Sequence, residues 1–297
     1  MSIKSFVPEL WNAAIQEPYE KSLVYGQSSI ASTGYFGQIS GMGDTVHFNT
    51  LTAPTIKEYD KDADLTIEDL TTADNTLKID QGKYFAFGVN DVDKVQAAGD
   101  LQGPATRAAA TGLRDGVDKF IAGKLKEGAL SANKIGTLKV VNDDPDKVGN
   151  GQTTAFKTLV KLSEKLNMQS VPTTGRWVVV GPKTYSALLM DPRFTKVDAS
   201  GTAEGLRNGI VGRAIGFEVM VSNNAPSTSG RELAIAGVPG AFVFASQLVE
   251  TEALRDPSRF RDIVRGLNVY GAGVVRPEGI ATADLGIVDP AGSAVAA

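Results

Sequence analysis

Histidine occurs once in this chain, at position 47, and cysteine does not occur at all. Those two counts remove most of the usual catalytic repertoire. A Ser/His/Asp relay needs a histidine within reach of a nucleophile, and zinc sites are built from several His or Cys ligands. Disulfides and thiolate chemistry are excluded outright. His47 sits in Thr45-Val46-His47-Phe48-Asn49, where alternation sets it opposite Val46 and Phe48, on the solvent side of a strand. A lone imidazole in that setting is a surface residue before it is a base.

Four other constellations could carry chemistry. Gly41-Met42-Gly43 lacks the third glycine of a dinucleotide fingerprint and precedes a strand, not a helix. Val180-Gly181-Pro182-Lys183-Thr184 puts Lys-Thr after a strand, as a phosphate loop does. It has one glycine, however, and its proline removes an N–H that phosphate would use. A strand-to-helix turn with proline at the first helical position explains it better. Glu58, Asp60, Asp62 and Asp64 alternate like calcium ligands, without the central glycine and closing glutamate of a calcium loop. Arg255, Arg259, Arg261 and Arg265 could meet phosphate, yet Glu250, Glu252, Asp256 and Asp262 interleave with them. That pattern predicts mixed salt bridges at a surface or interface. No catalytic residue, cofactor site or metal site is expected.

The elements around these residues fit a 297-residue globular chain, 42% hydrophobic and 22% charged, with a formal net charge of -4. No basic stripe equips it for specific nucleic-acid binding. No secretory leader is apparent, and no stretch approaches the roughly 18 apolar residues of a membrane span. Residues 1–40 read as an extended arm with a short helix over 8–16. Phe6, Val7, Leu10 and Trp11 on so thin a segment need a surface to cover them, supplied by a neighbouring domain or a neighbouring subunit, and they are the candidates for inter-subunit contact. Strands are predicted over 45–51 and 76–89, the second interrupted near Gln81 and Gly82. The acidic, threonine-rich excursion between them makes a projecting hairpin that must rest on something else.

A short helix is expected after Asn90. A longer one starts at Gly103-Pro104, with Leu101, Ala105, Ala108, Ala109, Leu113, Val117, Phe120, Ile121 and Leu125 at spacings of three and four. Asp118 falls mostly off that stripe. An amphipathic helix over 154–168, using Phe156, Leu159, Val160, Leu162 and Leu166, a buried strand over 176–180 and a helix ending near Met190 then suggest an α/β unit. Short strands are predicted over 217–221, 232–236 and 241–246, with a final strand pair over 260–273 and 273–276. The loop over 193–209 is polar and carries both charge signs. Lys196, Asp198, Glu204 and Arg207 are among its charged residues.

Several segments resemble, in order, the major capsid proteins of tailed bacteriophages. Leu23-Val24-Tyr25-Gly26 is similar to the opening arm of that family, and Lys78-Ile79-Asp80-Gln81-Gly82-Lys83-Tyr84-Phe85-Ala86-Phe87 to its hairpin loop. Val178-Val179-Val180-Gly181-Pro182, Gly216-Phe217-Glu218-Val219 with Ser222-Asn223-Asn224, and Tyr270-Gly271-Ala272 with Val275-Arg276-Pro277-Glu278 resemble its later parts. The resemblance implies an α+β chain of the Hong Kong phage-type capsid fold. Its parts would be an N-terminal arm (1–40), an extended β-hairpin loop (41–90), a peripheral domain with a long spine helix (91–136 and 251–285), an axial α/β domain (137–250) and a flexible tail (286–297). The implied function is a structural, non-enzymatic shell subunit that self-assembles into pentamers and hexamers of an icosahedral capsid around double-stranded DNA. The resemblance also points the 193–209 loop toward the capsomer centre, with Glu204 and Arg207 as its candidates for contact with symmetry mates. Implied partners are other copies of itself, a separate scaffolding protein, a portal and a decoration protein. DNA would be enclosed without sequence-specific binding, no membrane would be involved, and assembly would take place in the host cytoplasm. An encapsulin-like nanocompartment shell is the alternative within the same fold.

Overall fold

The computed structural model describes residues 24–32, 45–51, 72–90, 102–141, 151–191 and 212–288, with residues 54–56, 58, 61, 67–69 and 148 between them. The short helices expected over 8–16 and after Asn90 lie outside these residues.

Among the described residues, three sheets organise the fold. Strands β1 (Thr45–Leu51) and β2 (Thr72–Lys78) form an antiparallel hairpin, Thr45 opposite Lys78 and Leu51 opposite Thr72. The expected single strand is interrupted at Ile79 and Asp80, two residues before the predicted break, and β3 (Gln81–Asn90) follows. Leu77 and Ile79 are buried against Val243, Ala245 and Val269, which gives the hairpin base the support that two strands alone lack.

The second sheet has three strands in the order β11-β12-β3. Strands β11 (Phe242–Arg255) and β12 (Arg261–Val274) are fourteen residues each and make one long hairpin. The sequence suggests only a short first strand, because polar Ser246, Gln247 and Glu250 break the apolar run. It also suggests a break at Gly273, where β12 in fact runs through. Gly271 shows why this stretch is glycine-rich: a Cβ there would strike the backbone carbonyl of Lys78 and the Cα of Ile79.

The third sheet has eight strands, ordered β5-β4-β13-β10-β6-β8-β7 with β9 paired to β10. These strands are β4 (Lys134–Val141), β5 (Gln152–Thr154), β6 (Arg176–Val180), β7 (Arg213–Ala214), β8 (Phe217–Val221), β9 (Ser227–Thr228), β10 (Arg231–Gly237) and β13 (Ile280–Val288). A short 3-10 turn at Pro277–Gly279 ends the excursion through β12 and returns the chain to this sheet as β13, parallel to β4 and antiparallel to β10. Sheet membership therefore changes just before Phe242 and again at 277–279. The domain bounds implied by the resemblance, 250 and 285, do not coincide with these changes of sheet.

The eight-stranded sheet is covered on both faces, which explains its nearly unbroken apolar strands. On one face Val178, Val180, Ala234 and Ala236 meet α2 (Ala155–Met168) and α3 (Pro182–Met190) through Leu159, Leu162, Leu166 and Leu188. On the other, the alternate residues Trp177, Val179, Leu233 and Ile235 meet α1 (Gln102–Gly128) through Val117, Ile121 and Leu125. Tyr25, Ile30, Phe242, Phe244 and Tyr270 complete that second core. The stripe expected on α2 is only partly the observed one. Leu159, Leu162 and Leu166 are buried as predicted, but Val160 is exposed and Thr158 takes the buried position, its hydroxyl donating to the Thr154 carbonyl.

Candidate functional site

Of the chemical constellations in the sequence, Gly181–Thr184 and the arginine group lie within the described residues, whereas Gly41, Met42 and Gly43 and, of the acidic run, Asp60, Asp62 and Asp64 lie outside them. At Gly181–Thr184 the N-terminus of α3 is filled by Glu232 from β10. Its carboxylate accepts from the Lys183 amide (3.1 Å), the Thr184 amide (2.9 Å) and the Thr184 hydroxyl (2.9 Å). A negative group is what a helix N-terminus favours, so the position a phosphate would need is taken from within the chain. A Cβ at Gly181 would collide with the Glu232 carboxylate, so a side chain there would displace the carboxylate from this position.

The arginine group behaves as charge interleaving predicts. Arg255 pairs with Asp262 (3.0 Å), Arg261 with Asp256, and Arg265 with Glu252 across the β11–β12 hairpin. The Ser258 amide and the Arg261 guanidinium hold the Asp256 carboxyl below its ordinary value. Buried Arg176 plays a separate, local role. It donates to the Pro172 and Val171 carbonyls, Ser163 Oγ and Asn167 Oδ1, fastening the end of α2 to β6. His47 lies in β1 with its backbone opposite Thr76. Among the described residues no three His, Cys, Asp or Glu side chains gather closely enough to hold a metal ion.

One acidic residue departs from the sequence reading. Asp118 lies not off the apolar stripe of α1 but fully inside the protein. Its Oδ1 accepts from the amides of Val24 (3.1 Å) and Tyr25 (2.7 Å), and its Oδ2 from Asn224 Nδ2 (3.2 Å) and Ser222 Oγ (3.4 Å). Burial raises its pKa, and the hydrogen bonds oppose that rise. The Tyr25 phenol beside it is pushed up as well, by burial first and by the Asp118 charge second. Helical spacing alone could not reveal this joint, because the donors are about a hundred residues away on both sides.

Large apolar side chains also stand in solvent. Ile56 (97% exposed) and Ile67 (91%) lie on the excursion between β1 and β2, whose two sides are tied by the Thr55 amide donating to Glu68. Phe260 (85%) crowns the turn between β11 and β12, and Tyr84 (77%) stands on β3. These four are the most exposed large apolar side chains among the described residues. The signal in sequence was a single large apolar residue inside a polar turn, as in Asp256-Pro257-Ser258-Arg259-Phe260. The contact residues predicted from sequence, Phe6, Val7, Leu10, Trp11, Glu204 and Arg207, lie outside the described residues.

Residues 32–283 match the family model described as phage capsid protein. The chain belongs to that family. It is a major capsid protein, with the mixed helix-and-sheet fold of phage capsids and a structural role in the capsid shell of the virion. A solved structure from Mycobacterium phage Che8 is 34% identical to it, covering 95% of this chain and 98% of its own, with a TM-score of 0.76. The capsid of the cyanophage P-SCSP1u (15% identity, 96% and 94% coverage, TM-score 0.72) shares the fold. So does the mature capsid of bacteriophage PhiM1 (14%, 93% and 91%, TM-score 0.69). No curated protein matches the sequence. The encapsulin-like alternative gains no support from these likenesses, and the phage capsid reading stands.

Proposed function

We propose that this capsid protein builds its shell from pentamers and hexamers around double-stranded DNA, and that it carries no catalytic site. The observation that supports the reading is the near-complete exposure of three large apolar side chains, Ile56, Ile67 and Phe260, on a subunit of this family. Exposed apolar side chains that are costly in a free subunit become favourable when a neighbour covers them. Many weak contacts of this kind add up around a closed shell.

Under this reading residues 1–40 act as the arm and 41–90 as the extended loop. The peripheral domain is α1 with the β11–β12 hairpin, against which β3 of the extended loop pairs, and the axial domain is the eight-stranded sheet with α2 and α3. We assign β13 to the axial side because its hydrogen-bond partners are β4 and β10. Phe6, Val7, Leu10 and Trp11 would bury themselves on a neighbouring subunit, and Glu204 and Arg207 would face symmetry mates within a capsomer. Scaffolding would come from a separate protein, with a portal and a decoration protein as further partners and the host cytoplasm as the place of assembly.

Deletion of residues 1–16 tests the arm. The truncated subunit should stay soluble yet fail to close shells, and particles of normal form and yield would refute the assignment. Reversing Glu204 or Arg207 singly should disturb capsomers, and reversing both together should partly restore them. Parental assembly of both single variants would remove the loop from the ring contact.

A further inference from the structure

We propose that Asp118 is a positioning residue for assembly: its buried carboxylate fixes where the first 23 residues leave the subunit. The inference rests on the reading of residues 1–16 as a contact arm. The chain just after those residues is clamped at two points. At Val24 and Tyr25, two successive backbone amides converge on Asp118 Oδ1, at 3.1 and 2.7 Å. At Ser32, the amide donates to the Phe242 carbonyl and the Ser32 carbonyl accepts from the Phe244 amide, a parallel bridge onto β11. Between the clamps a tight turn closes on itself, with the Ile30 and Ala31 amides both donating to the Gln27 carbonyl. Tyr25, Ile30 and Ala31 are fully buried.

The second clamp and the buried side chains already hold residues 25–32 in the core. What Asp118 adds is local to the exit: it orients the first described residue of the chain. The same carboxylate also binds Asn224 and Ser222 beyond β8, so the exit is referenced at once to α1 and to the eight-stranded sheet. A buried carboxylate is a poor choice for stability alone, since an apolar core of similar volume is often as stable. Its value lies in directed acceptors, which fix geometry. Asn224 Oδ1 is buried without a partner. An amide at position 118 could therefore keep the joint: its oxygen would accept from the two backbone amides, and its N–H would donate to Asn224 after that side chain turns over.

The test compares Asp118→Ala, Asp118→Asn and Leu125→Ala, the last a fully buried residue of the same helix that makes none of these bonds. Amide exchange is read on the free subunit, and the yield of closed shells is read per folded subunit. Asp118→Ala should speed exchange at Val24 and Tyr25 by about tenfold or more and cut shell yield about as strongly, because a charge-assisted bond is lost there. Asp118→Asn should keep slow exchange and close shells within about twofold of the parent, as a retained acceptor allows. Leu125→Ala should lower overall stability yet leave shell yield per folded subunit near parental. Equal yields for Asp118→Ala and Leu125→Ala would overturn the proposal, and so would an assembly defect in Asp118→Asn with parental exchange. If Asp118→Ala does not fold, Val24→Pro removes one donor from the other side of the bond and takes its place, with the same outcomes. Normal shells from the 1–16 deletion would overturn the arm reading itself. A failed deletion beside a normally assembling Asp118→Ala would overturn only the role of Asp118.

Discussion

Replacing Glu232 gives a sharp quantitative test of how the eight-stranded sheet is joined to α3. The carboxylate comes from β10 and accepts three hydrogen bonds, from the amides of Lys183 and Thr184 and from the Thr184 hydroxyl. Glu232→Ala would orphan the Thr184 donors, which are buried, and would leave the helix start without a cap. Each orphaned buried donor costs about 1–3 kcal/mol, and losing a cap about 1 kcal/mol. Against this stands the desolvation of the carboxylate, which the variant recovers. The balance is a loss of about 3 kcal/mol for Glu232→Ala. Glu232→Gln keeps one acceptor but turns an NH2 toward the remaining donors, so about half that loss is expected. Urea unfolding of the unassembled subunit reads both values as shifts in midpoint at constant slope. A Glu232→Ala variant within about 0.5 kcal/mol of the parent would show that the carboxylate is not the cap described here.

Three further outcomes are expected. Gly271→Ala should destabilise by more than about 2 kcal/mol or abolish soluble expression, because the new methyl meets backbone atoms of Lys78 and Ile79 that no rotamer can move aside; a thermal melt checks it. Asp118 has a raised pKa in the folded subunit, so the native state binds its proton more tightly than the unfolded chain does. Stability relative to Asp118→Asn should therefore be greatest at low pH and fall as pH rises from the ordinary aspartate value, about 4, through the raised one; a difference that is flat or grows with pH would contradict this. Phe260→Ser should leave unfolding of the free subunit within about 0.5 kcal/mol of the parent while lowering shell yield, as expected of an exposed side chain whose partner is another copy.

The parts of the fold written in strong periodic patterns were legible from the sequence. Arg176–Val180 reads as a buried strand because β-branched residues face a core on both sides, and Pro182 marks the start of α3. The long helix was legible from its three- and four-residue spacing, although it runs to Gly128. Strands β11 and β13 were the hard cases. In β11 the polar half is held by its register against β12, a partner that no local pattern names. In β13 small residues lie between β4 and β10, where narrow side chains pack best and where hydropathy is weakest. Asp118 was misread for a related reason: its burial depends on two backbone amides contributed by Val24 and Tyr25. Charge alternation in Arg255–Arg265, by contrast, predicts its ion pairs directly, because both members sit on one hairpin.

Electron microscopy of the full chain after expression alone tests the central claim most directly. Closed, icosahedrally symmetric shells should form, with five-fold and six-fold capsomers. In their reconstructed density Ile56, Ile67 and Phe260 should each be covered by a neighbouring subunit. Particles in which those three side chains remain in solvent would contradict the account of assembly through exposed apolar side chains. A purified protein that stays monomeric at high concentration, alone and with a scaffolding protein supplied, would contradict the claim that this chain builds the shell.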